Sequence, residues 1–396
     1  MSTQNNNDIV ILSAARTPMG SMQGELSALA GHELGAHAIK AAVEKAGIDG
    51  AKIEDVLMGC VLPAGQGQAP ARQAALGAGL PKHVTCTTVN KVCGSGMRTV
   101  MMAHDQLKLG NMQFAIAGGM ESMTNAPYLL KNGRSGYRFG HSTVYDHMTL
   151  DGLEDAYAHK AMGEFGEMCA DKYQFTREAQ DEFALASINR AKTATEGGAF
   201  EAEITPITIA GRKGDTVVSN DEGPRRAMPD KIPNLRPAFT KDGTITAANA
   251  SSISDGASAI VLARAEAAEA EGLKPLAKIV GHASFAQSPE WFTTAPVGAM
   301  EKLLKQTGWT IDDVDLFEIN EAFAVVTMAA MKELAIPHEK VNVHGGACAL
   351  GHPIGASGTR IITTLVHALR THGKKRGIAA LCIGGGEATA IAVEVM

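Results

Sequence analysis

The 396-residue chain carries one folding plan twice, and this duplication limits its architecture more than any other feature. Leu34-Gly35 opens an apolar-periodic segment that stops at Gly47 and leads to Ile53-Glu54-Asp55-Val56-Leu57. Val297-Gly298 opens a counterpart that stops at Gly308 and leads to Ile311-Asp312-Asp313-Val314-Asp315-Leu316. Cys93-Gly94-Ser95-Gly96 precedes Met97, Val100, Met101 and Leu107, which fall on one helical face. Gly355-Ala356-Ser357-Gly358 likewise precedes Ile361, Ile362, Leu365, Val366 and Leu369. Both predicted helices stop at glycine, Gly110 and Gly373. Short apolar runs then enter Gly118-Gly119 in one case and Gly384-Gly385-Gly386 in the other.

The repeat also reveals an insertion. Gly96 and Gly358 are 262 residues apart, whereas the strand-like runs starting at Ala257 and Ala388 are only 131 apart. The extra length falls at about 121–249, too long for a plain loop. It reads as a subdomain of its own, with a helix from Thr176 to about Lys192. The expected organisation is one α/β domain from 1–120 with 250–273, an inserted loop domain 121–249, and a second α/β domain 274–396. Alternation of strand and helix patterns predicts mainly parallel sheets. The poorly charged helices after Gly96 and Gly358 are expected near the middle.

Composition narrows the function classes. Net charge is −6 with no long basic stretch, so nucleic acid is not an expected partner. No run approaches the ~20 apolar residues of a membrane span. The polar start, Met1 to Asp8, lacks both a secretory h-region and an Arg-rich transit pattern. Six scattered cysteines without a C-x-x-C pair argue against a disulfide framework and a zinc site. The simplest reading is a cytoplasmic protein with no metal.

Cys93 sits at the mouth of a predicted helix, where the macrodipole favours a thiolate. That effect is at most ~2 kcal/mol, so a base must assist. His352, in the equivalent turn of the second half, is the natural base if the halves pack with pseudo-twofold symmetry. Cys382 ends an apolar run against Gly384-Gly385-Gly386: either a core cysteine, or a second sulfur that exchanges a proton with substrate beside free backbone N–H groups. Asn320, in Asn320-Glu321-Ala322-Phe323, either caps a helix or holds a water or carbonyl oxygen.

Together the N-x-x-C-x-S-G around Cys93, Gly118-Gly119-Met120-Glu121-Ser122-Met123, Asn320 to Phe323, Gly351 to Gly358 and Cys382 to Gly386 closely resemble the thiolase family, along essentially the whole chain. The resemblance is nearest to short-chain acetyl-CoA C-acetyltransferases. It implies two like α/β domains layered αβαβα, plus a loop domain. It further implies a Claisen condensation of two acetyl-CoA to acetoacetyl-CoA and CoA, with coenzyme A as substrate and product and no other cofactor. By resemblance Cys93 is acylated, His352 accepts its proton, and Cys382 takes the α-proton of the second acetyl-CoA. One oxyanion hole is then His352 with a water on Asn320; the other is the N–H groups of Cys93 and Gly384. Ser251 corresponds to a pantetheine contact and Met162 to an acyl contact. Arg225 or Arg226 is placed near the adenine nucleotide, with Ala247 and Phe323 also against substrate. Residues 125–151 resemble the tetramerisation region, which implies a homotetramer.

Two positions depart from the family pattern: Ala161 replaces a frequent His, and Glu387-Ala388 follows the glycines in place of Met or Gln then Gly. The alternatives are a broader 3-ketoacyl-CoA thiolase, a decarboxylating condensing enzyme, in which Cys382 has no role, and a non-catalytic thiolase-like lipid carrier.

Overall fold

The computed structural model describes residues 8–211 and 214–396. The reading of the first seven residues lies outside these. The first half supplies β1 (Ile9–Arg16), α1 (Gly31–Ala46), β2 (Asp55–Gly59), β3 (Thr85–Val89), α2 (Ser95–Lys108) and β4 (Phe114–Ser122). The intervening segment carries α3 (Met162–Tyr173) and α4 (Arg177–Glu196), and the first half is completed by β5 (Ser254–Arg264). The second half runs β6 (Ala277–Ala286), α5 (Ala295–Thr307), β7 (Leu316–Ile319), α6 (Ala324–Leu334), α7 (Ser357–Thr371), β8 (Arg376–Ile383) and β9 (Glu387–Val395).

The strand order shows the duplication directly. It is β3-β2-β4-β5-β1 in the first half and β6-β9-β8-β7 in the second. The halves meet where β1 pairs antiparallel with β6 through Ile9↔Ile279, Val10↔Lys278 and Ile11↔Ala277. A parallel bridge from Phe317 to Val341 stands where the first half has β3.

The expectation of mainly parallel sheets is corrected here. Among the pairs of these described strands, β2–β3, β2–β4 and β7–β8 are parallel; β4–β5, β1–β5, β1–β6, β6–β9 and β8–β9 are antiparallel. Glycines 384–386 join β8 to β9 as a hairpin, and a hairpin admits only antiparallel pairing. In the first half the same two-strand unit, β4 with β5, is opened by residues 123–253.

Helices α2 and α7 form the middle layer. Met97, Val100, Met101 and Leu107 pack with Ile361, Ile362, Leu365, Val366 and Leu369, between Ile11 and Ile260 of one sheet half and Leu381 and Ile391 of the other. Each such side chain contributes ~1.5–3 kcal/mol on full burial. Helix α1 covers the first half from outside, and α5 with α6 covers the second, giving an αβαβα stack. Helix α4 is capped by Thr176, whose hydroxyl accepts from Ala179 N, and continues to Glu196, beyond the expected end. Helix α3 packs Phe165, Cys169 and Tyr173 on Val325, Val326 and Ala329 of α6, so the intervening segment reaches across to the second half.

Candidate active site

The middle helices cross at their first turns, and glycine is the reason they can. A Cβ on Gly358 would lie 2.3 Å from Met97 N, and one on Gly96 would lie 2.9 Å from Thr359 N. The two helix mouths therefore face one place. There Cys93, His352, Gly384, Ser251, Met162, Ala247 and Phe323 all line one cavity of about 500 Å³.

Cys93 is held by a tight turn. Lys91 N donates to Ser95 Oγ at 2.8 Å, and Ser95 Oγ donates to Val92 O at 2.6 Å. Val92 has φ +47°, the left-handed region, which a β-branched residue enters only at a cost of ~1–3 kcal/mol. Strain of this kind is found where geometry is imposed for chemistry. Ser357 is the duplication partner of Ser95 and does the matching work for the histidine. His352 Nδ1 lies 2.6 Å from Ser357 Oγ, which donates to Pro353 O at 3.0 Å.

Asn320 directly follows β7, where its backbone N–H donates to Ala380 O, and its amide nitrogen is 3.5 Å from His352 Nδ1. Asn320 Oδ1 and His352 Nε2 are both buried without a protein partner. Cys382 is fully buried behind the cavity, close enough to Cys93 that a charge on one sulfur raises the pKa of the other.

Electrostatics correct one expectation. Burial pushes the Cys93 thiol up to about 11, although the N–H groups of Gly384 and Cys93 itself aim at the sulfur and pull the other way. The negative charge of Glu121 adds to the rise. Burial, with the charge of Arg360 behind it, lowers His352 to about 3. Burial also raises Cys382 well above the ordinary thiol value, and Cys93 adds to it. Desolvation thus outweighs the helix dipole, and the resting site is neutral. His352 Nε2 stays buried in that site with no protein partner.

Arg225 is not brought to the cavity. Its guanidinium pairs with Glu25 at 2.6 Å, and Arg226 pairs with Glu222. Ser251 lines the wall with its hydroxyl on Ala322 O at 2.9 Å. His104, Asp105 and His282 gather in a separate surface groove, where Asp105 Oδ1 is 3.0 Å from His104 Nδ1 and 2.8 Å from His282 Nε2.

Residues 9–266 match the model of the thiolase N-terminal domain, and 273–395 match that of the thiolase C-terminal domain. The chain belongs to the thiolase family. "Acetyl-CoA acetyltransferase 2" of Arabidopsis thaliana is 50% identical over 99% of this thiolase and 98% of its own length. "Acetyl-CoA acetyltransferase" of Cupriavidus necator is 48% identical over 98% and 99%. Among solved structures, the Ascaris suum Acat5 thiolase in complex with coenzyme A superposes with a TM-score of 0.94 at 42% identity, covering 98% of this chain and all of the other. The Bacillus anthracis acetyl-CoA acetyltransferase superposes with a TM-score of 0.96 at 41% identity, covering 98% and 99%.

Three groups of the thiolase site escaped sequence reading. Ser357 was legible only as part of the glycine-rich turn, although its placement five residues after His352 at a helix start was a usable signal. Phe239 and Phe292 line the cavity beside Phe323, with ring centroids 5.8 and 6.5 Å from it. No local pattern marks either one.

Proposed function

We propose that this thiolase is an acetyl-CoA C-acetyltransferase, joining two acetyl-CoA into acetoacetyl-CoA and CoA and running in reverse as thiolysis. The observation that carries this reading is Cys93 and His352 lining one cavity, with the Gly384 N–H aimed at the Cys93 sulfur. The names of the relatives point to the same activity.

In the forward direction Cys93 Sγ bonds to the thioester carbonyl carbon and its proton passes to His352 Nε2. The C–S bond to CoA breaks, and the leaving sulfur takes the Cys382 proton. Cys382 is now a thiolate, and the same burial that raises its pKa makes it a strong base. It removes the α-proton of the second acetyl-CoA, and the resulting carbanion attacks the acetyl group on Cys93. The expelled Cys93 thiolate recovers its proton from His352, so every group returns to its neutral start. The N–H groups of Cys93 and Gly384 serve the oxyanion on the acyl-Cys93 carbon. His352, with a water held by Asn320, serves the second acetyl-CoA carbonyl. Losing one such donor typically costs ~10²–10³ in rate. Nothing in this sequence of steps calls for a metal or a resident cofactor; coenzyme A is substrate and product.

Met162, Phe239, Phe292 and Phe323 wall the cavity and favour a short acyl group. Ser251 and Ala247, on the wall of the same cavity, are the contacts assigned to pantetheine. Arg225 would reach a nucleotide only after leaving Glu25. Exposed Tyr128, Leu130, Phe139 and Val144 support a homotetramer built through this segment. Six free cysteines suit a reducing compartment such as the cytoplasm; among the described residues no helix is long and apolar enough to cross a membrane.

Mass spectrometry after exposure to acetyl-CoA tests the reading: the Cys93 peptide gains an acetyl group. Cys382→Ser keeps acetyl transfer onto Cys93 but loses condensation. Equal loss of both steps would remove the role given to Cys382. A broader 3-ketoacyl-CoA thiolase is excluded if thiolysis falls steeply beyond four acyl carbons.

A further inference from the structure

The Cys93 turn and the Gly384 turn come from opposite halves of the duplicated chain, yet their N–H groups must act on one oxygen. Three contacts hold turn against turn. Ile383 Cδ1 occupies the space a side chain on Gly94 would need, 2.3 Å from the Cβ position. Val92 Cγ1 lies 3.7 Å from the Cβ position of Gly384. The third contact is an ion pair between Lys91 Nζ and Glu387 Oε2.

Lys91 stands two residues before the nucleophile and is bridged to it through the backbone. Glu387 opens β9 directly after the three glycines and pairs with Ile383 across the hairpin. The two turns differ in rigidity: Val92 holds a strained positive φ on one side, whereas Gly385 and Gly386, at φ +91° and +89°, form a pliant turn on the other that gains from an outside anchor. The two apolar contacts press the turns together, while the charged contact fixes one point on each against sliding. The side chains of Lys91 and Glu387 are 23% and 39% exposed. A pair this wet adds little to folding stability. Its place beside both oxyanion donors gives it a different use.

We propose that the Lys91–Glu387 ion pair is a positioning device that sets the spacing between the Cys93 and Gly384 N–H donors. Lys91 and Glu387 are then positioning residues for acylation and condensation alike. This rests on the oxyanion role assigned to those donors above.

The test is steady-state kinetics of Lys91→Met, Glu387→Gln, the double variant, and the reversed pair K91E/E387K. Each single variant lowers kcat about five- to thirtyfold, part of what losing one donor costs, with KM for acetyl-CoA within about twofold. The double variant is no slower than the slower single, because one device is broken once. The reversed pair is faster than K91E or E387K alone, and Tm stays within about 2 °C of wild type throughout. A single variant with kcat within about twofold of wild type would overturn the proposal. So would losses that multiply in the double variant, a reversed pair no faster than its singles, or a fall in kcat that tracks a fall in Tm. Acetylation of wild-type Cys93 is measured alongside. If it is absent, the functional reading fails, which is a separate outcome from failure of the ion pair.

Discussion

His352 Nδ1 meets Ser357 Oγ at 2.6 Å, and that hydroxyl spends its own proton on the carbonyl of Pro353. Ser357 therefore accepts from an Nδ1–H, which leaves the Nε2 lone pair bare. The tautomer of His352 is set by a serine that does not line the cavity. Ser357→Ala frees the ring to hold either tautomer, and the expected loss is about tenfold in kcat with KM unchanged. Rate measurements with acetyl-CoA, alongside a thermal melt showing retained stability, check this.

Alanine at two neighbouring glycines should give opposite outcomes. A Cβ on Gly384 would meet Met162 Cε at 3.5 Å and Val92 Cγ1 at 3.7 Å, ordinary contact distances. Gly384→Ala therefore unfolds in urea within about 1 kcal/mol of wild type. Gly386 holds φ +89°, and a Cβ there would lie 2.4 Å from Gln287 O. Gly386→Ala is expected to lose more than about 2 kcal/mol.

Acid should weaken the fold through His352. Its folded pKa of about 3 lies below the unfolded 6.5, so between these values the unfolded chain binds the extra proton. Stability from this group is complete above about pH 6.5 and is lost as pH falls toward 3, at up to about 1.4 kcal/mol per pH unit. Burial lowers His344 and His367 as well, with the same sign. The difference between wild type and His352→Gln in urea unfolding at a series of pH values isolates the His352 imidazole. A flat difference curve between pH 6.5 and 4 would contradict it.

The segment between β4 and β5 is tied to the first half by a fully buried charge cluster. Arg16 Nε reaches Glu203 at 2.5 Å, and its two Nη atoms reach Asp221 at 2.6 and 2.9 Å. Arg16→Met strands two buried carboxylates, at an expected cost of about 3–5 kcal/mol. Denaturant unfolding would show it, and limited proteolysis should then cut first between 123 and 253.

Much of this thiolase was legible along the chain. Helix periodicity, glycine stops and the unequal offsets of Gly96/Gly358 and Ala257/Ala388 are local signals, since turn chemistry and period are properties of short segments. They marked the two copies, the helix mouths holding Cys93 and His352, and the interruption between β4 and β5. Strand direction was not legible, because the same apolar run serves a crossover or a hairpin until its neighbour is known. Nor was the charge state of the site. Helix position favours a Cys93 thiolate, yet the burial created when two distant halves close over it decides for the thiol. Phe239, Phe292 and the Glu25 partner of Arg225 belong to that same class. Each depends on which surfaces meet in space, and sequence distance carries no record of that.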